Sequence, residues 1–473
     1  MSFQPRATAP ASAQNRFNPL IRLAVVTVLT GIGAGLGGMS LALLLRAVQH
    51  LAYGYSLDTL SATESFLQGV SGASPERRVL VLTVCGLIAG FGWLAVSRFG
   101  TPLVSIKQAL SNGGQRMPVV STLAHAVLQI VTVAMGSPLG REVAPREVGA
   151  LVGGWLAHYA GLGANERRLI VACGAGAGLA AVYNVPLGGA VFVLEVLLGT
   201  FSATAVVIAL TTSVIGALVA WIGLGDETQY LVPHFALSKT LVIWAVLTGP
   251  IFGIAAWSFA RLTNAARVAA PRSGWQLPAL TLANFVMVGM LVAWLPQLAG
   301  NGKGPAQLGF DNALTIGVAG TLLLMKLLIV TTSLRAGAQG GLLTPGLTIG
   351  ALFAIVLGGV WSMMWPGVAP GAFAIVGAAA FLATSMNMPV TAIVLVAEFT
   401  RIDHDLLIPV LCAVAGSICA SRLCEMAVAS NAQAAGKPSS KPSGKPESIT
   451  APVPDPSTVS VGNAVGTAVA QRV

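Results

Sequence analysis

Charge is what this sequence most lacks. Only 9% of its 473 residues are Asp, Glu, Lys or Arg, while 55% are hydrophobic; a soluble protein usually carries about 25% charged residues. Together with a mean hydropathy of +0.79, this excludes a water-covered surface and points to a membrane domain. Cysteine is sparse too. Cys85, Cys173, Cys412, Cys419 and Cys424 lie in apolar stretches and form no Cys-x-x-Cys pair, which argues against a disulfide frame or a zinc site. The five His are scattered, none at metal-ligand spacing, so neither a metal nor any other cofactor is expected. The first apolar run, from about Leu20, is long enough to span, which argues against a cleavable signal peptide. The net charge of +10 comes mainly from tails and short loops: Arg6, Arg16 and Arg22 at one end, Lys437, Lys441 and Lys445 at the other. Such flanks usually face the cytoplasm. Both termini are therefore expected there, with an even number of crossings and no nucleic-acid partner.

What is present is apolar sequence of two kinds. Long runs cover about 20–51, 79–97, 203–223, 240–263, 277–296, 315–333, 347–365 and 405–421; a helix needs about 20 residues to cross a bilayer. Between them lie short runs broken by Gly and Pro: Gly100-Thr101-Pro102, Ser137-Pro138, Gly140 to Pro145, Asn184-Val185-Pro186, Gly340 to Pro345 and Asn387-Met388-Pro389. Broken backbone at membrane depth is tolerated only where it is buried or lines a cavity, and such breaks point to a substrate site. The predicted fold is all-α and polytopic: an N-terminal tail (1–18), a membrane domain (19–426) and a C-terminal tail (427–473). The stretch Tyr55 to Arg78 reads as a polar connection, and both tails as disordered. No folded regulatory domain is expected in the C-terminal tail.

The domain repeats internally. Asn387, Pro389 and Glu398 each stand 203 positions after Asn184, Pro186 and Glu195, without a gap. Upstream, Gly350-Ala351-Leu352 follows Gly149-Ala150-Leu151 by 201 positions, which sets Gly140-Arg141-Glu142 against Gly341-Leu342-Leu343. The halves span about 19–223 and 238–426. Two halves grown from one unit are typical of transporters.

Of 16 carboxylates, Glu142, Glu147, Glu195 and Glu398 are embedded in apolar sequence. A charge at membrane depth costs at least ~2.5–3.5 kcal/mol, so each calls for a reason. Glu142 opens a helix after a Gly, where free N–H groups and the helix dipole make an anion site. A carboxylate can sit there and leave when protonated. The alternative is that Glu142 merely caps its helix or pairs with Arg141 or Arg146. Glu195 and Glu398, each nine residues after a Pro, suggest a shared structural task such as holding backbone at a helix end. Glu147 is expected to pair with its neighbour Arg146. At Gly340-Gly341-Leu342-Leu343-Thr344-Pro345, the glycines allow close approach and the Leu342 and Leu343 amides are positioned to face an anion; a helix cap without ligand is the alternative.

These residues resemble the CLC chloride channels and chloride/proton antiporters over about residues 20–425. The resemblance rests on Gly140-Arg141-Glu142, the Gly/Ala-rich run ending Asn184-Val185-Pro186-Leu187, and Gly340 to Pro345, in their order and spacing. It implies a homodimer in the bilayer, with one pore per subunit built from two inverted halves, in a bacterial inner membrane. Chloride or another small anion would be the substrate, with protons as a coupled partner in the antiporters. Glu142 would be the gate, Thr101 (after Gly100) the hydroxyl at the central anion, and Leu342 and Leu343 the outer amides. Gly140, Arg141, Gly340, Gly341 and Glu195 would support the site.

The chain departs from the family pattern. Pro102 stands where a Gly is expected, the Pro after Gly-Arg-Glu comes one place late, and Leu343 replaces a Phe. Val196 occupies the place of the antiporters' inner glutamate, and the inner tyrosine has no clear counterpart, an ungapped match giving Ser430. Channel and antiporter both stay open. A fluoride/proton exporter of the same fold is an alternative against which Thr101 speaks. A secondary transporter for an organic solute would need more polar side chains near the breaks. An enzyme would need a paired nucleophile and base, but His125 and His158 stand singly, and Asp403-His404-Asp405 lies in a connection between apolar runs.

Overall fold

The computed structural model describes residues 19–54, 65–111 and 114–434. The expected tail 1–18, residues 55–64 of the expected polar connection, residues 112–113 and residues 435–473 lie outside the described residues. The first half contains α1 (Pro19–Tyr53), α2 (Phe66–Gly72), α3 (Pro75–Phe99), α4 (Ile106–Ala109), α5 (Val119–Ala134), α6 (Val143–Tyr159), α7 (Ala164–Tyr183), α8 (Pro186–Phe192) and α9 (Ala203–Leu224). The second contains α10 (Lys239–Val268), α11 (Gln276–Trp294), α12 (Lys303–Phe310), α13 (Ile316–Arg335), α14 (Leu343–Ser362), α15 (Pro370–Ser385), α16 (Pro389–Thr400) and α17 (His404–Ala434). No strand is formed among the described residues; one isolated antiparallel bridge joins Gly140 to Gly341.

Eight helices among the described residues are long and apolar enough to cross a membrane: α1, α3, α9, α10, α11, α13, α14 and α17. They coincide with the eight long runs of the sequence. Large apolar side chains such as Val207, Ile222, Leu324 and Trp294 are exposed on them, which suits lipid contact. Two boundaries differ from expectation. The polar connection before Arg78 contains α2, held by a Ser65–Gln68 capping box, and the first turn of α3, whose cap is Ser74 followed by Pro75. At the other end α17 continues to Ala434, past the boundary at 426, because Ala-Val-Ala-Ser after Met426 contains no helix breaker.

Packing depends on small residues. A methyl group at Gly149 would lie 2.0 Å from the Gly174 carbonyl oxygen, and one at Gly178 equally close to that of Pro145. Helices α6 and α7 therefore touch backbone to backbone. The halves interlock through α3 against α11 and α8 against α16. The repeat is visible in the local geometry: α7 ends on Asn184 (φ 54°) and α15 is followed by Asn387 (φ 51°), both left-handed, each two residues before the Pro that starts the next helix. Asn tolerates that conformation and Pro cannot continue a helix, so the two residues together force the chain to break and restart.

Candidate functional site

The bridge between Gly140 and Gly341 is the seam of the two halves. Gly140 N–H donates to the Gly341 carbonyl at 2.8 Å and Gly341 N–H to that of Gly140 at 2.9 Å. This seam brings the N-termini of α6 and α14 together. Glu142, fully buried, stands at the start of α6 in helical geometry (φ −70°, ψ −20°) and makes no side-chain bond to its own helix. Its Oε1 instead accepts the Leu343 N–H at 2.7 Å. The carboxylate of one half thus occupies the N-terminal anion seat of the other half's helix, where orphan amides and the dipole favour negative charge.

Both seam glycines are required by this pose. A methyl group at Gly341 would lie 1.7 Å from Glu142 Oε1, and one at Gly140 would lie 2.1 Å from Oε2. The carboxylate fills the space that any side chain would take.

The neighbouring cations do not neutralise Glu142 directly. Arg146 Nε donates to the Glu142 backbone carbonyl at 2.9 Å, and its guanidinium lies over the Phe192 ring. Arg141 reaches Gln229 Oε1 at 3.3 Å and lies over the Tyr183 ring at 5.0 Å. The two mundane accounts of Glu142, capping its own helix or pairing with either arginine, are not what the geometry shows.

Tyr183, the last residue of α7, was not among the sequence candidates. Its hydroxyl donates to Glu142 Oε2 at 3.4 Å and shares a 3.3 Å contact with the Thr344 hydroxyl. Both are long for O–H···O bonds. The available signal was its place just before Asn184-Val185-Pro186, at the end of a helix that points to the breaks.

The remaining candidates fall into two groups. Thr101 follows Gly100, which ends α3, and its hydroxyl meets that of Ser121 on α5 at 2.9 Å. It lines a cavity of about 470 Å3 together with His125, Arg267, Arg272 and Gln339. The cavity reaches the seam through Arg267, which donates to the Gly340 carbonyl at 3.0 Å. Leu342 is half-buried beside the fully buried Leu343. Ser430 is exposed on α17 and bonds only the Ala427 carbonyl.

Glu195 and Glu398 cross between halves. Glu195 accepts from the amides of Val390 and Thr391 and from the Thr391 hydroxyl, at 3.0, 2.7 and 2.6 Å. Glu398 accepts from the amides of Leu187 and Gly188 at 3.0 and 2.6 Å. Each thus caps the start of the other half's short helix, α16 or α8. Glu147 corrects an expectation: it pairs not with Arg146 but with His125 Nδ1, at 2.9 Å. Five residues and roughly 1.4 helical turns past Glu142, its side chain points towards α5.

A helical membrane protein of two interlocked repeats, with one broken-helix N-terminus from each half meeting at a shared seam, is the class these features define. The model of the voltage gated chloride channel family matches residues 80–422, and the chain belongs to that family. It is 31% identical to a ClcB-like chloride channel protein of Ralstonia nicotianae over 71% of this chain and 80% of that one. It is 27% identical to the voltage-gated ClC-type chloride channel ClcB of Salmonella typhimurium over 80% and 91%. Its fold matches that of a slow cyanobacterial Cl–/H+ antiporter (TM-score 0.73, 18% identity, 85% of this chain and 95% of that one). It also matches a CLC-type fluoride/proton antiporter (TM-score 0.66, 18% identity, 86% and 98%).

Proposed function

We propose that this protein carries chloride and similar small anions across a bacterial inner membrane, and that Glu142 is the gate. One observation carries the gate: a buried carboxylate occupies a helix N-terminus built for an anion. An incoming anion and the ionised carboxylate compete for the Leu343 amide. Protonation removes the charge that holds Glu142 there, so acid opens the seat. The relatives named for chloride support that substrate. Thr101 and the Leu342 and Leu343 amides would contact the anion on either side of the seam, with Gly100, Gly140, Arg141, Gly340 and Gly341 shaping it and Glu195 bracing the halves. The family resemblance supports a homodimer, and the basic flanks support a cytoplasmic position for both termini.

Proton coupling is the second part of the reading. A gate that moves by taking up and releasing a proton exchanges that proton with one side or the other at each cycle, which is the minimum an antiporter requires. Ion flux from liposomes tests both parts. Chloride efflux is expected from wild type, rising towards acid pH, and from Glu142→Ala without the pH dependence. No anion flux in either, alongside a working control protein, would remove the whole reading. A Glu142→Ala profile identical to wild type would remove the gate alone.

A further inference from the structure

The best-buried titratable cluster outside the gate is His125, Gln129 and Glu147. The His125 and Glu147 side chains are 10% and 15% exposed, and Gln129 is fully buried. His125 Nδ1 is 2.9 Å from Glu147 Oε2 and 2.9 Å from Gln129 Nε2; that same amide nitrogen is 3.2 Å from Glu147 Oε2. These contacts cannot all be hydrogen bonds in one protonation state. An amide nitrogen only donates. Either His125 Nδ1 carries a hydrogen and donates to Glu147, leaving two donors facing each other, or it is bare and accepts from Gln129, leaving an unprotonated nitrogen against a carboxylate oxygen. Gln129 Oε1, meanwhile, is buried without a partner. Turning the amide would present Oε1 to an Nδ1 hydrogen but would set it against Glu147 unless Glu147 is itself protonated. The bonding pattern of the cluster is therefore decided by how many protons it holds.

Its position joins the two parts of the site. His125 lines the cavity that reaches Thr101 and Arg267. Glu142 stands at the start of α6, which carries Glu147, and Arg146 between them donates to the Glu142 backbone carbonyl. Five residues set the backbone positions of Glu142 and Glu147 about 7.5 Å apart along the helix axis. The other charged groups facing the cluster are few. Arg146 comes from α6, Arg267 lies at the end of α10, and Arg272 follows it on the cavity wall. Helix α3 contributes Trp93 and Ser97 to that wall, and α1 meets α5 through Leu41 and Leu45. Val196 is apolar and exposed on the last turn after α8, so it carries no proton.

We propose that His125 and Glu147, with Gln129 as the switching amide, are a proton-exchange site of this protein, on the cavity side of Glu142. A proton from cavity water binds His125 Nε2, the Nδ1 proton passes to Glu147, and Glu147 delivers it through water to Glu142; the reverse sequence returns it. No other bond is made or broken. The inference rests on the proton-coupled reading given above.

The test measures chloride efflux and uphill proton movement together, in liposomes holding a chloride gradient and no pH gradient. The isosteric Glu147→Gln, whose residue is not on the cavity wall, is expected to keep chloride efflux close to wild type and to lower coupled proton movement about tenfold or more, with Glu147→Asp restoring coupling; His125→Gln, on the cavity wall, is expected to lower the ratio of protons to chloride moved by a similar factor. Unchanged coupling in both Gln variants overturns the relay. So does a parallel loss of both fluxes, which is the mark of structural damage. If wild type moves chloride but no protons, coupling and relay both fall while the gate survives, because the pH profile of Glu142→Ala judges the gate independently.

Discussion

Glu142 of the first half accepts a hydrogen bond from the Leu343 amide of the second, 201 residues away, at 2.7 Å. Neither residue has this relationship with its own helix. The proposed gate and its seat therefore belong to different halves, and anything that shifts the seam changes how the carboxylate is held.

The seam itself can be tested. Gly341→Ala would place a methyl group 1.7 Å from Glu142 Oε1, so the carboxylate cannot seat. Chloride efflux from this variant is expected to lose its pH dependence, as in Glu142→Ala, while the protein still purifies intact. A wild-type pH profile in Gly341→Ala would show that the seated pose is not the closed state.

Tyr183 should tune the proposed gate. Its hydroxyl donates to Glu142 Oε2 at 3.4 Å, which favours the ionised, seated carboxylate. Tyr183→Phe keeps the ring under Arg141 and removes the donor. The pH of half-maximal chloride efflux is expected to rise, by up to about one unit for a bond of about 0.5–1.5 kcal/mol. A downward shift would contradict the assigned direction of this bond.

The crossed carboxylates should act on stability rather than on transport. Glu195→Ala and Glu398→Ala each strand two helix-start amides, one exposed and one part-buried, at a cost of up to about 1–3 kcal/mol for the part-buried one. Lower melting temperatures in detergent are expected, with the pH profile of chloride efflux unchanged at permissive temperature. An altered pH profile would instead tie these residues to the gate.

Lys326 offers a separate check on the fold. Fully buried in α13, its ammonium donates to the carbonyls of Leu298 and Gly300 at 2.9 and 2.6 Å. Lys326→Met, similar in length, leaves both carbonyls without that donor and is expected to lower thermal stability. Unchanged melting would mean that those carbonyls find other partners.

Much of the architecture was legible because membrane helices announce themselves. Eight apolar runs gave eight helices, since few polar residues can be buried in lipid. The breaks were legible because Asn184-x-Pro186 and Asn387-x-Pro389 leave the backbone little choice. What sequence could not supply was the partner of each buried polar group. Glu147 was matched to Arg146 by adjacency, yet consecutive helical residues point about 100° apart, and its partner His125 lies on another helix. Tyr183 is not legible as a site residue, because an aromatic residue at the end of an apolar helix looks like packing until the carboxylate it faces is known.

The exchanged caps also bear on how the chain is made. The amides of Leu187 and Gly188 at the start of α8 find their acceptor in Glu398, 211 and 210 residues later. During synthesis the first half must enter the membrane with those amides still unclaimed. The break at Asn184 is thus a loose end until most of the chain has been translated, and insertion of the second half is the event that closes the first.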